Sequence, residues 1–372
     1  MEGIFIKDLI NEIAVYDKSI DHFIWLYHHN YLHFNGRNLY FLLKRRFRKI
    51  KPLATDLSEN IKIIESPWIL SLSPKSGFHW IKQHRMYFKR LFESIQPDIL
   101  HIHAAYPGLA IWEEIRKSFP GIKVILTEHS SQAMDAKLKT WGYQMSILMR
   151  NMDRIIFVSN YLKNKYTYAD DRISGVIPNV VTIHGPRNIQ AKSFGNSLLF
   201  IGILNRKVKR LDLLIDSMSR IPGEHRPSLH VIGDGTYRNE YAYLAKKLNV
   251  HIEWHGTISN QNEKWQIIRN ADFLVVPSDE ETFCVAAAEA LSAGIPVIST
   301  RCGGPEEFIN DSNGILIPKD DSSAMAEAIV KMQAAYHRFN RQMISKNAIA
   351  RFSSMSIVPQ YLKLYRELCT HF

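Results

Sequence analysis

The residue types and spacing that most plainly allow chemistry lie in Pro277 to Ala290, where Glu281 and Glu289 are separated by seven residues. The apolar run Phe273 to Val276 reads as a buried strand that ends at Pro277. An acidic loop follows, and a helix is expected from about Phe283 to Ala293. In an open parallel sheet, ligands bind outside the carboxyl ends of the strands, where helix N-termini offer free N–H groups to a phosphate. Glu281 stands just before that first turn, placed to accept hydrogen bonds from sugar hydroxyls. Glu289 lies two turns deeper, where a buried carboxylate would hold a ribose diol. The small residues Ala286, Ala287 and Ala288 let the helix sit close to the sheet and to a ligand. An acidic first turn also stabilises any helix, and on spacing alone that plainer explanation serves equally well.

A second group supplies positive charge. Phe200-Ile201-Gly202 ends a strand, and Arg206, Lys207, Lys209 and Arg210 follow before a helix. Gly202 permits close backbone approach, and the cations can neutralise a diphosphate. Such runs more often end as solvated loops, but this one follows a strand of the domain that carries Glu281. Ile232-Gly233-Asp234-Gly235 is a third strand-to-helix turn. Arg238 stands where a dinucleotide fingerprint has its third glycine, which argues against a nicotinamide enzyme. Cys302 to Glu307 is a fourth, expected to open a helix at Pro305, although a plain tight turn explains it as well.

These loops need a scaffold of alternating strands and helices. In the first half, Asp98 to His103, Lys123 to Leu126 and Arg154 to Val158 read as strands, and Met86 to Ser94 and Ala110 to Lys117 as amphipathic segments. A second series starts after Pro178-Asn179. Strands are expected at Leu198 to Ile201, Leu229 to Ile232, Ile252 to Trp254 and Val297 to Ser299, with helices at Leu211 to Ser219 and Tyr237 to Leu248. The division falls in the polar stretch Thr182 to Asn196. A doubly wound domain normally opens with a strand. Here Phe5 to Tyr16 already reads as the helix, so the first strand of the N-terminal domain is expected to be missing.

Composition bounds the partners. With 372 residues, 46% hydrophobic and 22% charged, the chain has room for two folded domains. No apolar run reaches the length of a membrane span, and Met1 to Ala14 is no signal peptide. The three cysteines, Cys284, Cys302 and Cys369, have no metal-ligand spacing, and a reduced, cytoplasmic protein is expected. The net charge of +11 fits an anionic small substrate or an anionic membrane surface. Without a zinc-finger, RNA-recognition or Arg-rich tail signature, nucleic acid is not expected as a partner.

Taken together, the loops resemble those of a family 4 retaining glycosyltransferase of the GT-B fold, glycosyl transferases group 1. Glu281 to Glu289 matches that family's pair of glutamates, and Val297 to Glu307 with Asn313-Gly314-Ile315-Leu316 looks like the usual continuation. Gly202 through Lys209 resembles the diphosphate loop; Pro97 to His103, Thr127-Glu128-His129-Ser130 and Val176 to Asn179 match the N-terminal half. Pro359 to Tyr365 resembles the helix that crosses back onto the first domain. The resemblance covers nearly the whole chain from Gly3.

It implies two Rossmann-like α/β domains facing across a cleft: an acceptor-side domain over 1–181, a nucleotide-sugar-binding domain over 182–352 and a returning helix over 353–372. It implies Glu281 and His129 as the catalytic pair. Gly202, Arg206, Lys209, Phe283, Cys284, Val285 and Glu289 would bind the donor, with Lys209 and Arg206 on its diphosphate. A nucleotide-diphosphate sugar would be the donor substrate, with no cofactor and no metal. The acceptor would be a glycan or lipid-linked, in polysaccharide or lipopolysaccharide assembly.

Three departures accompany the likeness. Ile203 stands where the family usually has Arg, Cys284 where it has Gly, and the first strand is lacking. They motivate a competing expectation, a nucleotide-sugar-binding homologue without turnover. Residues Lys44 to Lys51 read KRRFRKIK, with Phe23, Trp25, Tyr27, Tyr31, Phe34, Tyr40 and Phe41 near them. That combination suits peripheral contact with the inner face of an anionic membrane, or simply a solvated helix face over an aromatic core.

Overall fold

A computed structural model of the chain describes residues 4–17, 22–26, 54–58, 61–65, 92–103, 116–130, 149–166, 170–184 and 195–369. The basic segment Lys44 to Lys51 and the expected helix around Ala110 lie outside the described residues, apart from the latter's last two positions.

The C-terminal domain is a parallel sheet of β8 (Ser197–Ile201), β9 (Ser228–Ile232), β10 (Ile252–Gly256), β11 (Phe273–Val276), β12 (Val297–Thr300) and β13 (Gly314–Ile317). Its spatial order is β10-β9-β8-β11-β12-β13, with every pair parallel. This is the doubly wound order of a Rossmann-like domain, and its switch point lies between β8 and β11. The strand sequences explain the burial: SLLFI and FLVV are nearly continuous apolar runs, as a sheet covered on both faces requires, and in VIST the buried Ser299 and Thr300 hydroxyls are hydrogen-bonded. Helices α3 (Leu211–Ser219), α4 (Arg238–Lys247), α5 (Gln261–Asn270), α6 (Val285–Ser292), α7 (Ser322–Ala334) and α8 (Arg341–Phe352) form the crossovers and covering layers.

In the N-terminal half, α1 (Ile4–Tyr16) is followed by β1 (His22–Leu26), β2 (Ala54–Ser58) and β3 (Ile61–Glu65). These three strands form a small mixed sheet, with β3 parallel to β1 and antiparallel to β2, which the sequence reading did not anticipate. Phe23 and Trp25, expected near a basic surface, belong to β1. A parallel sheet follows in the order β4 (Ile99–His103), β5 (Lys123–Glu128), β6 (Arg154–Phe157), β7 (Ser174–Val176), with the short helix α2 (Asn160–Lys165) after β6. Among the described residues no strand precedes α1, and β4 pairs only with β5.

The chain crosses between domains twice. One crossing runs through 177–196. The other follows α8, where α9 (Ser354–Cys369) returns to the first domain and packs against α1. Ile357, Val358, Tyr361 and Leu364 are buried with Ile125, Ile156, Leu9 and Ile13, and Arg366 reaches Asp17 at 3.1 Å. A core shared by both domains lies at the base of the cleft, where Leu126, Phe157 and Leu162 meet Phe283, Ala287 and Phe308.

Candidate active site

The carboxyl ends of β8 and β11 open into a cleft at the switch point. His129, Asn179, Gly202, Lys209, Lys264, Glu281, Cys284 and Glu289 are among the residues that line it. It therefore gathers residues from both domains.

Glu281 is held by its backbone before its side chain does anything. Its N–H donates to the Cys302 carbonyl and its carbonyl accepts from Gly304 N–H, both at 2.8 Å. Gly304 is what lets these loops touch, because a Cβ there would stand 2.6 Å from Phe283 Cα. The Glu281 carboxylate accepts from Lys209 Nζ at 2.7 Å and from Ser278 Oγ at 2.8 Å on the same oxygen, Oε1. Burial works to lower the Lys209 pKa, but the Glu281 charge and hydrogen bond together with nearby Cys284 and Cys302 outweigh it, so the amine is held above its ordinary value as a cation.

One level deeper, Lys264 Nζ donates to Glu289 Oε1 at 2.6 Å, and both side chains are about nine-tenths buried. A carboxylate this deep is costly unless paired, and Lys264 is its partner. The reading of the sequence missed Lys264. It lies on α5, in the polar run QNEKWQ, and only the packing of that helix brings it to Glu289.

The basic loop divides its cations. Lys207 Nζ donates to Glu240 at 2.6 Å, and Arg210 is engaged by Asp212, Asp279 and Asp320. Arg206 is exposed and is not among the residues lining the cleft, whereas Gly202, Ile203 and Lys209 are. Of the four cations in that loop, Lys209 is the one that faces Glu281.

Helix α6 opens at Val285, later than expected, with Cys284 as its N-cap at φ 73°, ψ 77°. No side chain caps this end, and Val285 and Ala286 line the cleft beside it. The helix N-terminus therefore contributes its partial positive charge where Lys209 supplies a full one. The Cys284 thiol is pushed well above its ordinary pKa, first by burial and then by Glu281, and stays neutral. Phe283 turns towards the shared core, its ring centroid 5.6 Å from Phe308 and 5.5 Å from Phe352. Such burial is worth about 2–3 kcal/mol and anchors the loop that carries Glu281.

The opposite wall ends in His129. Its Nε2 lies 3.1 Å from His103 Nδ1, and the His103 ring stacks on His101 at 4.2 Å between centroids. His101 in turn meets Thr127 and Tyr365, each at 2.7 Å. Burial, then the neighbouring His103, holds His129 well below the ordinary histidine range, against an opposing hydrogen bond with Asn179. Burial also lowers His103 to about 4. A neutral imidazole at the cleft is the consequence.

The walls are tied together. The Thr282 hydroxyl donates to the His129 carbonyl at 2.7 Å, and the Ser159 hydroxyl donates to the Thr282 carbonyl. Glu307 accepts from Tyr161 N–H at 2.6 Å and from Asn160 Nδ2 at 3.1 Å, while Lys165 pairs with Glu280. The helix expected at Pro305 is a single turn, Gly304–Glu307, that ends in this contact.

Residues 195–334 match the family described as Glycosyl transferases group 1, and residues 52–185 match Glycosyltransferase Family 4. An uncharacterized glycosyltransferase of Methanocaldococcus jannaschii is 32% identical over 75% of this chain and 78% of its own length. The chain belongs to the glycosyl transferases group 1 family. This glycosyltransferase also shares its architecture with solved structures. A lipopolysaccharide outer core galactosyltransferase in apo form aligns with a TM-score of 0.64 at 21% identity, covering 82% of this chain and 83% of its own. An Anabaena protein in complex with UDP aligns with a TM-score of 0.70 at 15% identity, covering 96% and 95%. The fold is GT-B.

Proposed function

We propose that this glycosyltransferase takes a sugar from a nucleotide-diphosphate sugar and passes it, with retained configuration and without a metal, to a glycan or lipid-linked acceptor in cell-surface polysaccharide assembly. The observation that carries the reading is the layered pair of ion pairs in one cleft. Lys209–Glu281 lies at the mouth beside the α6 N-terminus, and Lys264–Glu289 lies beneath it.

A nucleotide-diphosphate sugar presents a diphosphate, a ribose diol and a sugar, and each finds a counterpart here. The diphosphate belongs against Lys209 and the first turn of α6, around Cys284 and Val285, with Gly202 allowing the backbone close. As the bond to the sugar breaks, negative charge grows on the leaving phosphate, and a fixed cation and helix dipole stabilise it more in the transition state than before. Glu289 keeps its second carboxylate oxygen for the ribose diol. Glu281, its backbone clamped on both sides, contacts the transferred sugar from below, and neutral His129 faces it from the first domain. Retention follows if the acceptor attacks on the face the phosphate leaves, the same phosphate taking the acceptor's proton. The acceptor then enters from the first domain, while Arg206, exposed on the C-terminal domain and outside the cleft lining, leaves Lys209 as the loop's cation for the diphosphate. The UDP-bound Anabaena relative and the lipopolysaccharide galactosyltransferase motivate the donor and acceptor classes.

The test is a thermal-shift series with UDP, GDP, ADP and dTDP sugars, alongside Glu289→Ala. Stabilisation by one nucleotide class, lost in the variant, supports the donor site and names the base. Binding without donor consumption favours the homologue without turnover, for which the strained Cys284 is the structural motive. No stabilisation by any donor overturns the reading.

A further inference from the structure

Away from the donor cleft, on the edge of the C-terminal sheet, His230, Glu253 and His255 bring one donor atom each to a common point. His230 and Glu253 are register partners on β9 and β10. His255 is the extra residue where the register shifts between Trp254 and Gly256, and bulges of this kind re-aim a side chain. His230 Nδ1 lies 3.2 Å from His255 Nε2 and 3.3 Å from Glu253 Oε2, and His255 Nε2 lies 3.6 Å from Glu253 Oε1. Ligand atoms about 2.0–2.1 Å from a tetrahedral zinc ion stand about 3.3–3.4 Å from one another, close to these separations, with the two histidines facing different oxygens of Glu253.

The hydrogen bonding around it fixes what the triangle offers. The Ser228 hydroxyl donates its proton to the Asn196 carbonyl at 3.1 Å. His230 Nε2, 3.3 Å from that hydroxyl, must therefore be the donor to it. In a neutral ring this leaves Nδ1 as a lone pair, aimed at a carboxylate and a second imidazole. A proton on His255 Nε2 can be shared with His230 Nδ1 and Glu253, and a divalent cation in its place would be bound by all three groups. An outer partner that sets the tautomer in this way is the usual companion of a metal-bound histidine. The histidine side chains are about a fifth exposed and Glu253 more than half, so an ion can enter and a water can complete its shell.

We propose that His230, Glu253 and His255 form a site for a divalent transition-metal ion of the zinc class, with Ser228 as its outer-shell support. Two imidazoles and one carboxylate suit zinc far better than magnesium or calcium, which seek all-oxygen shells. The ion would join edge strand β10 to β9 just before Gly233, whose N–H donates to the Gly256 carbonyl. This site is independent of the transfer reaction proposed above.

The experiment is calorimetric titration of Zn2+ into the full chain after dialysis against a chelator. Saturable binding of one ion per chain is expected, weakened at least about tenfold in Glu253→Gln and in His255→Asn, and about tenfold in Ser228→Ala. Co2+ used in place of Zn2+ should show the intense visible bands of a four-coordinate ion in the wild type and lose them in both ligand variants. Glu253→Gln alters an exposed side chain, so it decides the matter even if a histidine variant unfolds. Zn2+ affinity unchanged in Glu253→Gln and His255→Asn overturns the proposal, as does the absence of saturable binding to the wild type.

Discussion

Cys284 holds a left-handed backbone in the cleft beside Glu281, a conformation that costs a residue with a Cβ about 1–2 kcal/mol. Cys284→Gly removes that strain but frees the unfolded chain by about 0.4–1 kcal/mol. A net stabilisation of about 0.5–1 kcal/mol is expected, read as a raised urea midpoint; a loss of stability would show that the thiol's packing dominates. Lys209→Ala is a sharper test of chemistry. It strips the cation from beside Glu281 and should lower kcat by about 10²–10³-fold, the usual effect of removing one charge-stabilising group, with a smaller change in donor affinity. Equal losses in both would assign Lys209 to ground-state binding alone. Glu281 and Glu289 were legible because strand, loop and helix follow one another along the chain, so their spacing encodes their depth. Lys264 was not, since the helix that carries it meets Glu289 only after folding. Arg206 and Lys209 look alike in sequence; the short turn Lys207–Lys209 decides which of them faces the cleft.

At the scale of elements, the contact between α2 and the turn Gly304–Glu307 joins the domains beside the site. Glu307 satisfies the Tyr161 N–H, an otherwise unpaired donor in the first turn of α2, for about 1 kcal/mol. Gly303 has φ 111°, and a Cβ there would stand 2.4 Å from the Tyr161 ring. Glu307→Ala is therefore expected to loosen this junction, weakening donor binding severalfold while shifting the thermal midpoint by only a few degrees. Unchanged donor binding would show that the junction is not coupled to the site. Five of the six strands of the C-terminal sheet were readable because each carries a short apolar run between turn signals, whereas β13 was recognised only as part of a family motif. The mixed sheet β1-β3-β2 was not: ATDLS and IKIIE are short, half polar and without a repeating signal. Pro305 pointed to a helix start, but the element is a single turn that begins at Gly304, and Glu307 at its end contacts the other domain.

For the whole molecule, pH acts through the row His101, His103 and His129. His103 falls from 6.5 in the unfolded chain to about 4 in the folded one, and its two neighbours are lowered as well. Between those values the unfolded chain binds more protons, so stability rises with pH. It is fully present above pH 6.5 and is lost as pH falls towards 4, with up to about 3 kcal/mol from His103 alone. Urea midpoints at pH about 7 and about 5 should differ accordingly, and His103→Asn should flatten the slope. An unchanged slope in that variant would place the acid sensitivity elsewhere.

The two passages of the chain between domains, one through 177–196 and one from α8 into α9, have a mechanical meaning. A single tether would leave the halves free to swing, twist and slide. Two connections restrict relative movement more than one would, and α9 is held to α1 by buried Ile357, Val358 and Tyr361 against Leu9 and Ile13, with Arg366 and Asp17 beside them. Together with the contacts across the cleft, Thr282 to the His129 carbonyl and Glu307 to Tyr161, the paired connections keep His129 and Glu281 in one alignment.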